Sequence, residues 1–168
     1  MLLVSDLGWH AMRVRPLTRT DALPLAQAVA MVALLWPGRP RWRLPVPATA
    51  LAAGLVASGG VLAEEGLRFL DGDATPFVEP KPGARLRTEG PYEISRNPVY
   101  AGLVVAGAGL AVLRRRPEQL VAAAALAAVL HVKAGVEEKR LHERFGEEYA
   151  AYARRTPRLV GLPTPRSI

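Results

Sequence analysis

The sequence predicts an all-α fold: a polytopic membrane protein of about four transmembrane helices, ending in a C-terminal helical hairpin and a tail helix. Three observations lead there. Val46 to Ala63 carries no charged residue across 18 positions, nearly enough at 1.5 Å per residue to cross a bilayer core of roughly 30 Å. Two further apolar runs, Val99 to Leu113 and Leu120 to Val132, are linked through Arg114-Arg115-Arg116-Pro117, too short a connection for anything but a helical hairpin. The arginines lie in short clusters between apolar runs, the pattern of basic loops flanking membrane helices. Mean hydropathy, at +0.12, decides little by itself.

The elements follow in order. A chain of 168 residues is expected to form one domain, with N-terminal transmembrane helices within 22–67, a loop over 68–98, and a hairpin with its tail helix over 99–155. The first residues do not read as a signal peptide. Asp6 and His10 interrupt them, and neither a basic leader nor a small-residue cleavage site accompanies an apolar run. Ala22 to Trp36 is the weakest apolar segment, short and carrying Pro24 and Gln27. Val46 to Ala63 is the strongest, and Gly54 with Ser58 gives it a small-xxx-small face for close approach of another helix. The hairpin runs are each roughly 20 Å long as helices, so spanning requires tilt, bilayer thinning or polar extensions. A buried soluble hairpin competes with that reading, and Val46 to Ala63 tips the choice toward membrane.

Arg68 to Pro98 is rich in Pro, Gly and Asp. Prolines at 76, 80, 82, 91 and 98 rule out long helices there, while Phe77, Leu86, Tyr92 and Ile94 favour an ordered loop over a linker. From Val136 to Arg155 the pattern is helical again, with Leu141, Phe145, Tyr149 and Tyr152 on one face. Thr156 to Ile168 has three prolines and is expected to lie extended on the surface.

The net charge of +7 has two readings, nucleic-acid binding and basic membrane loops. Aromatics make up only 6% of the chain and do not interleave with the arginines, so headgroup contact is expected and nucleic acid is not. With four spans, the N-terminus, the 68–98 loop and the tail share one side and hold most of the basic residues, which makes that side cytoplasmic. The opposite loops are basic too, with Arg39, Arg41, Arg43 and Arg114 to Arg116. Heavy use of Ala and Arg suggests a bacterial gene of high GC content, hence an inner-membrane protein. The absence of cysteine excludes thiolate metal sites and cysteine nucleophiles, and no metal site is expected. The oligomeric state is left open.

Two clusters carry the chemistry. Arg96-Asn97-Pro98-Val99-Tyr100 stands where the loop enters the third apolar run. Pro98 suits a first helical turn and Asn97 an N-cap, so these residues alone read as a cap with interfacial Arg and Tyr. Glu137-Glu138 ends the fourth run, and alone reads as a solvated helix end. Jointly they mean more, because the hairpin returns the chain to the same side. Both clusters then meet at one mouth, where a carboxylate can take ribose hydroxyls or a ligand ammonium. At most one of the two carboxylates needs to face a ligand, since helix neighbours point about 100° apart.

The stretch TPFVEPKPGARLRTEGPYEISRNPVYAG, Thr75 to Gly102, and the later VEEKRLHERFGEEYAAYARRTPRLV resemble the isoprenylcysteine carboxyl methyltransferase and phospholipid methyltransferase family of membrane enzymes. The shared pattern is Gly-Pro-Tyr, then Arg-(His/Asn)-Pro-x-Tyr, a helical hairpin, Glu-Glu, and Phe-Gly-x-x-Tyr-x-x-Tyr. The resemblance covers about half the chain. It implies S-adenosylmethionine as cofactor, with S-adenosylhomocysteine as product, in a cytosolic pocket. By position it assigns Arg96, Asn97, Pro98, Tyr100, Glu137 and Glu138 to the cofactor, with Tyr92, Gly102, Tyr149 and Tyr152 at flanking motif positions. Arg96, Glu138 and Arg155 are the candidates for catalysis: an arginine can hold an acceptor carboxylate, and a glutamate can serve as base for an amine acceptor. Asn97 replaces the His of the prenylcysteine enzymes and cannot titrate near neutrality.

The expected activity is therefore methyl transfer to a lipophilic small molecule or lipid in the membrane, a carboxylate first, with phospholipid N-methylation as the alternative. A sterol-reductase-like NADPH enzyme is a rival on a similar hairpin, but such enzymes are longer and have more spans. A non-catalytic membrane protein of the same fold is a second rival, against which the retained Glu pair counts.

Overall fold

The computed structural model describes residues 22–70 and 86–161. Phe77 and most of the expected loop, the first 21 residues and the last seven lie outside that range. The described residues are helical with no strand: α1 (Ala22–Leu35), α2 (Val46–Phe69), α3 (Pro91–Ile94), α4 (Pro98–Arg114), α5 (Pro117–Phe145) and α6 (Glu147–Arg155). Prolines open four of them, at Val46-Pro47, Pro91, Pro98 and Pro117, positions where the missing N–H would have had no intrahelical partner.

The long helices alternate in direction and pack in the order α2, α4, α5, α1. The α2–α4 contact is the tightest. Ala52, Gly59 and Gly66, seven residues apart, are the buried positions of α2. They meet Gly102 and Gly109 of α4: a Cβ on Gly102 would lie 2.4 Å from the Gly59 carbonyl oxygen, and one on Gly109 would lie 2.5 Å from that of Ala52. Backbones this close exclude side chains. The expected face of Gly54 and Ser58 is not the one used. Both residues are exposed, and nothing lies within 4 Å of a Cβ on Gly54. A four-residue spacing reports only that small residues share a face; the heptad of small residues is what continues along the whole contact.

The buried residues of α2 are thus its small ones, while Val46, Leu51, Val61 and Leu67 are exposed. A soluble helix buries its large apolar side chains. An apolar helix facing outward suits a lipid surrounding, and α2 and α5 are both long and apolar enough, by length and composition, to cross a membrane. The core helix of a soluble protein would be mostly buried, and α2 is not. α1 and α4 are apolar but shorter, with 14 and 17 residues.

α5 differs most from expectation. It does not end at the Glu pair but runs 29 residues to Phe145, so Glu137 and Glu138 sit within a continuous helix. Gly146, at φ 52° and ψ −124°, then breaks the chain, a conformation that side-chain-bearing residues avoid. α6 turns back from there. Leu141, Phe145, Tyr149 and Tyr152 still converge, in a cluster with Tyr92, Leu70 and Leu86, although the helix carrying them is interrupted.

Candidate functional site

α4 starts and α5 ends at the same end of the molecule, so the two clusters meet there. Tyr100, in the first turn of α4, donates its hydroxyl to Glu137 Oε1 at 2.6 Å. Asn97 stands at the N-cap of α4, yet its side chain caps nothing. Its amide donates instead to Glu138 Oε1 at 3.3 Å and to the Arg158 carbonyl at 3.0 Å. The backbone N–H of Asn97 is taken by Ser95 Oγ at 3.1 Å.

Glu138 is 1% exposed. An isolated carboxylate there would be prohibitive, and it is fully engaged. Arg158 donates from Nε at 3.0 Å and lies within 2.9 Å through its terminal nitrogen, while Arg96, itself 7% exposed, approaches to 3.5 Å. Arg158 also reaches His131 Nε2 at 3.1 Å.

Arg158 was not expected at the site. It arrives because the segment after α6 does not lie on the surface as anticipated. Thr156 is buried, the Pro157 carbonyl accepts from Arg96 N–H at 2.9 Å, and the Arg158 carbonyl accepts from Ser95 Oγ at 3.2 Å. The only sequence signal was an arginine just past a proline, in a segment that looked like tail. Arg155, a candidate for catalysis, is exposed at the end of α6 and is not brought to the cluster.

The other expected residues divide by environment. Gly102 is committed to the α2 contact, and Pro98 is buried against Gly66. Tyr92, Tyr149 and Tyr152 are buried in the aromatic cluster that roofs the α5–α6 corner. Tyr152 donates to the Tyr92 carbonyl at 2.6 Å, and its hydroxyl proton is held more tightly than usual because of burial. Burial, reinforced by the charge of Glu137, pushes the Tyr92 phenol up to about 12. These tyrosines hold the corner together.

One further charge went unnoticed in the sequence. Lys133 is one turn before Glu137 on α5 and is buried. Its ammonium donates to Gln27 Oε1 of α1 at 3.2 Å and lies 5.1 Å from the centre of the Tyr100 ring. Gln27 had counted as a blemish in a weak apolar segment. It ties α1 to α5 across a low-dielectric interior, where such partners are obligatory.

Two polar groups remain open. Glu137 is only half-buried and makes no ion pair among the described residues. Arg96 Nε is buried without a partner.

A family model described as phospholipid methyltransferase matches residues 47–148. That span holds α2 to the first turn of α6, including Arg96, Asn97, Tyr100 and both glutamates; α1 and Arg158 lie outside it. No curated protein and no solved structure matches the chain. With well over half the chain matched and the long apolar helices turned outward, the chain belongs to the phospholipid methyltransferase family of integral-membrane methyltransferases.

Proposed function

We propose that the chain is an S-adenosylmethionine-dependent methyltransferase acting on a lipophilic acceptor in the membrane, with its site where α4 begins and α5 passes Glu137. The observation that carries this reading is the pairing of Tyr100 with Glu137 beside the Arg96–Glu138–Arg158 cluster. These residues fit the cofactor. Glu137 suits its ammonium or ribose hydroxyls, and the open N–H of Arg96 suits its carboxylate. When bound, the cofactor supplies a methyl group on a sulfonium and leaves as S-adenosylhomocysteine.

The protein's own contribution is placement and charge. Tyr100 fixes the rotamer of Glu137. Glu138, saturated by Arg96, Arg158 and Asn97, holds α4, α5 and the tail segment in register. Asn97 supplies hydrogen bonds in place of a titrating base. Within this reading Glu138 positions, Glu137 binds, and Arg155 has no part.

The charges also bear on the acceptor. Arg96, Lys133 and Arg158, with Arg140 acting on Glu137 from the next turn, outnumber Glu137 and Glu138, leaving the site net positive. An acceptor bearing an anion suits that balance. A carboxylate would be methylated directly. A phospholipid would bring its phosphate as the anion and its amine as the acceptor, and that amine would have to arrive as the free base, because Glu137 is committed to the cofactor.

Incubation with methyl-labelled cofactor and a lipid extract tests the proposal. Label should enter the lipid phase. A methyl ester releases it as methanol in mild base, whereas an N-methyl group retains it. No transfer by folded protein, or transfer undiminished in Glu137→Gln, would overturn the site.

A further inference from the structure

At the opposite end of the molecule the two basic loops meet. The Arg41 N–H donates to the Arg115 carbonyl at 2.9 Å, and Glu118 pairs with Arg41 and Arg116. The turn also completes α1. That helix has no basic residue in its last turn, and its final carbonyls need donors where water is scarce. Arg114 reaches the Leu35 carbonyl at 3.3 Å, while Arg116 and Gln119 reach that of Trp36 at 3.2 and 3.1 Å. These two loops thus hold six arginines, of which Arg41 and Arg116 pair with Glu118, and Arg39, Arg43 and Arg115 make no ion pair among the described residues.

Beside this patch runs a groove of about 540 Å³ between α1 and α5, lined by Val29, Val32, Trp36, Arg116 and Gln119 among others. Its α1 wall is open: Val29 is 68% exposed, Val32 57% and Trp36 63%. Gln119 lines it with a buried side-chain oxygen that has no partner.

We infer that this groove is a binding site for an anionic phospholipid, one acyl chain lying along Val29 and Val32 and the headgroup phosphate against the free arginines. Three features select that occupant. The apolar walls face outward on a membrane protein, so acyl chains are what surround them. The rim carries an excess of arginine that a zwitterionic headgroup does not balance. The groove passes directly from apolar to basic with an interfacial tryptophan at the junction. The site is remote from Glu137 and does not depend on the proposed methyl transfer.

The test uses the full chain in nanodiscs, with Trp9→Phe and Trp42→Phe leaving Trp36 as the sole tryptophan. A minor fraction of phosphatidylglycerol with brominated chains, in phosphatidylcholine, should quench Trp36 roughly tenfold more effectively per mole than brominated phosphatidylcholine. Replacing the exposed Arg39 and Arg43 and the half-buried Arg115 with Gln should abolish the preference while leaving thermal stability unchanged. Filling the groove with Ala28→Leu and Ala33→Leu should remove the excess quenching by the brominated phosphatidylglycerol. Equal quenching by the two lipids in the parent, a preference that survives the Gln substitutions, or an undiminished preference in a folded filled variant would each overturn the inference.

Discussion

Two adjacent carboxylates end up with opposite tasks. Glu138 is buried between two guanidiniums and an amide, whereas Glu137 holds one tyrosine hydroxyl and is otherwise open. Their substitutions should therefore separate. Glu138→Gln strands two arginines, and breaking a buried pair costs about 3 to 5 kcal/mol, to be read as lost stability by denaturation in detergent. Glu137→Gln should leave stability within about 1 kcal/mol and weaken binding of S-adenosylhomocysteine at least roughly tenfold in a calorimetric titration. The reverse pattern would exchange the roles. Tyr92 offers a pH test. Its folded-state phenol is raised from 10.0 to about 12, so across that window the folded protein keeps a proton that the unfolded chain has lost. Stability should be fully present below pH 10 and decline as pH rises toward 12. A Tyr92→Phe variant should show a shallower decline in the same alkaline titration.

The α2–α4 contact is built from absent side chains. Any Cβ at Gly102 falls against the Gly59 carbonyl oxygen and Ala63, so the helices must part to admit one. Gly102→Val should cost about 1 to 3 kcal/mol or more, measured as a fall in the detergent melting temperature. Gly54→Ala, on the partner helix α2, is the control. With open space around it and a gain in helix propensity of up to about 1 kcal/mol, it should be neutral or mildly stabilising. Equal damage from both would mean that α2 presents another face to α4.

Viewed whole, the molecule is a row of four helices pinned at both ends. The arginine turn closes one end. The segment after α6 closes the other, crossing from α6 to the start of α4 and reaching α5 through Arg158. Arg158→Ala should therefore lower both stability and cofactor affinity, by about 3 kcal/mol for the stranded Glu138. Arg155→Ala, three residues away on an exposed helix end, should change neither by more than about 0.5 kcal/mol. Denaturation and calorimetry on the pair distinguish a structural strap from a loose tail.

The sequence alone determined the all-helical class, the long apolar helices and the meeting of Arg96-Asn97-Pro98-Val99-Tyr100 with the Glu pair. Each follows from local quantities: the length of uncharged runs, prolines at helix starts, and a four-residue turn that leaves a hairpin no alternative. Tertiary structure decided which groups are spent and which remain open. Gly54 and Gly59 are equally small, and only the neighbouring helix distinguishes them. Lys133, Gln27 and Arg158 carried no motif, because their meaning lies in partners 106 and 20 residues away. Burial of charge is a property of the assembled interior, where each carboxylate must find its cations. No local pattern specifies which cation arrives, and so Glu137 and Glu138, neighbours in sequence, part company only when the chain is folded.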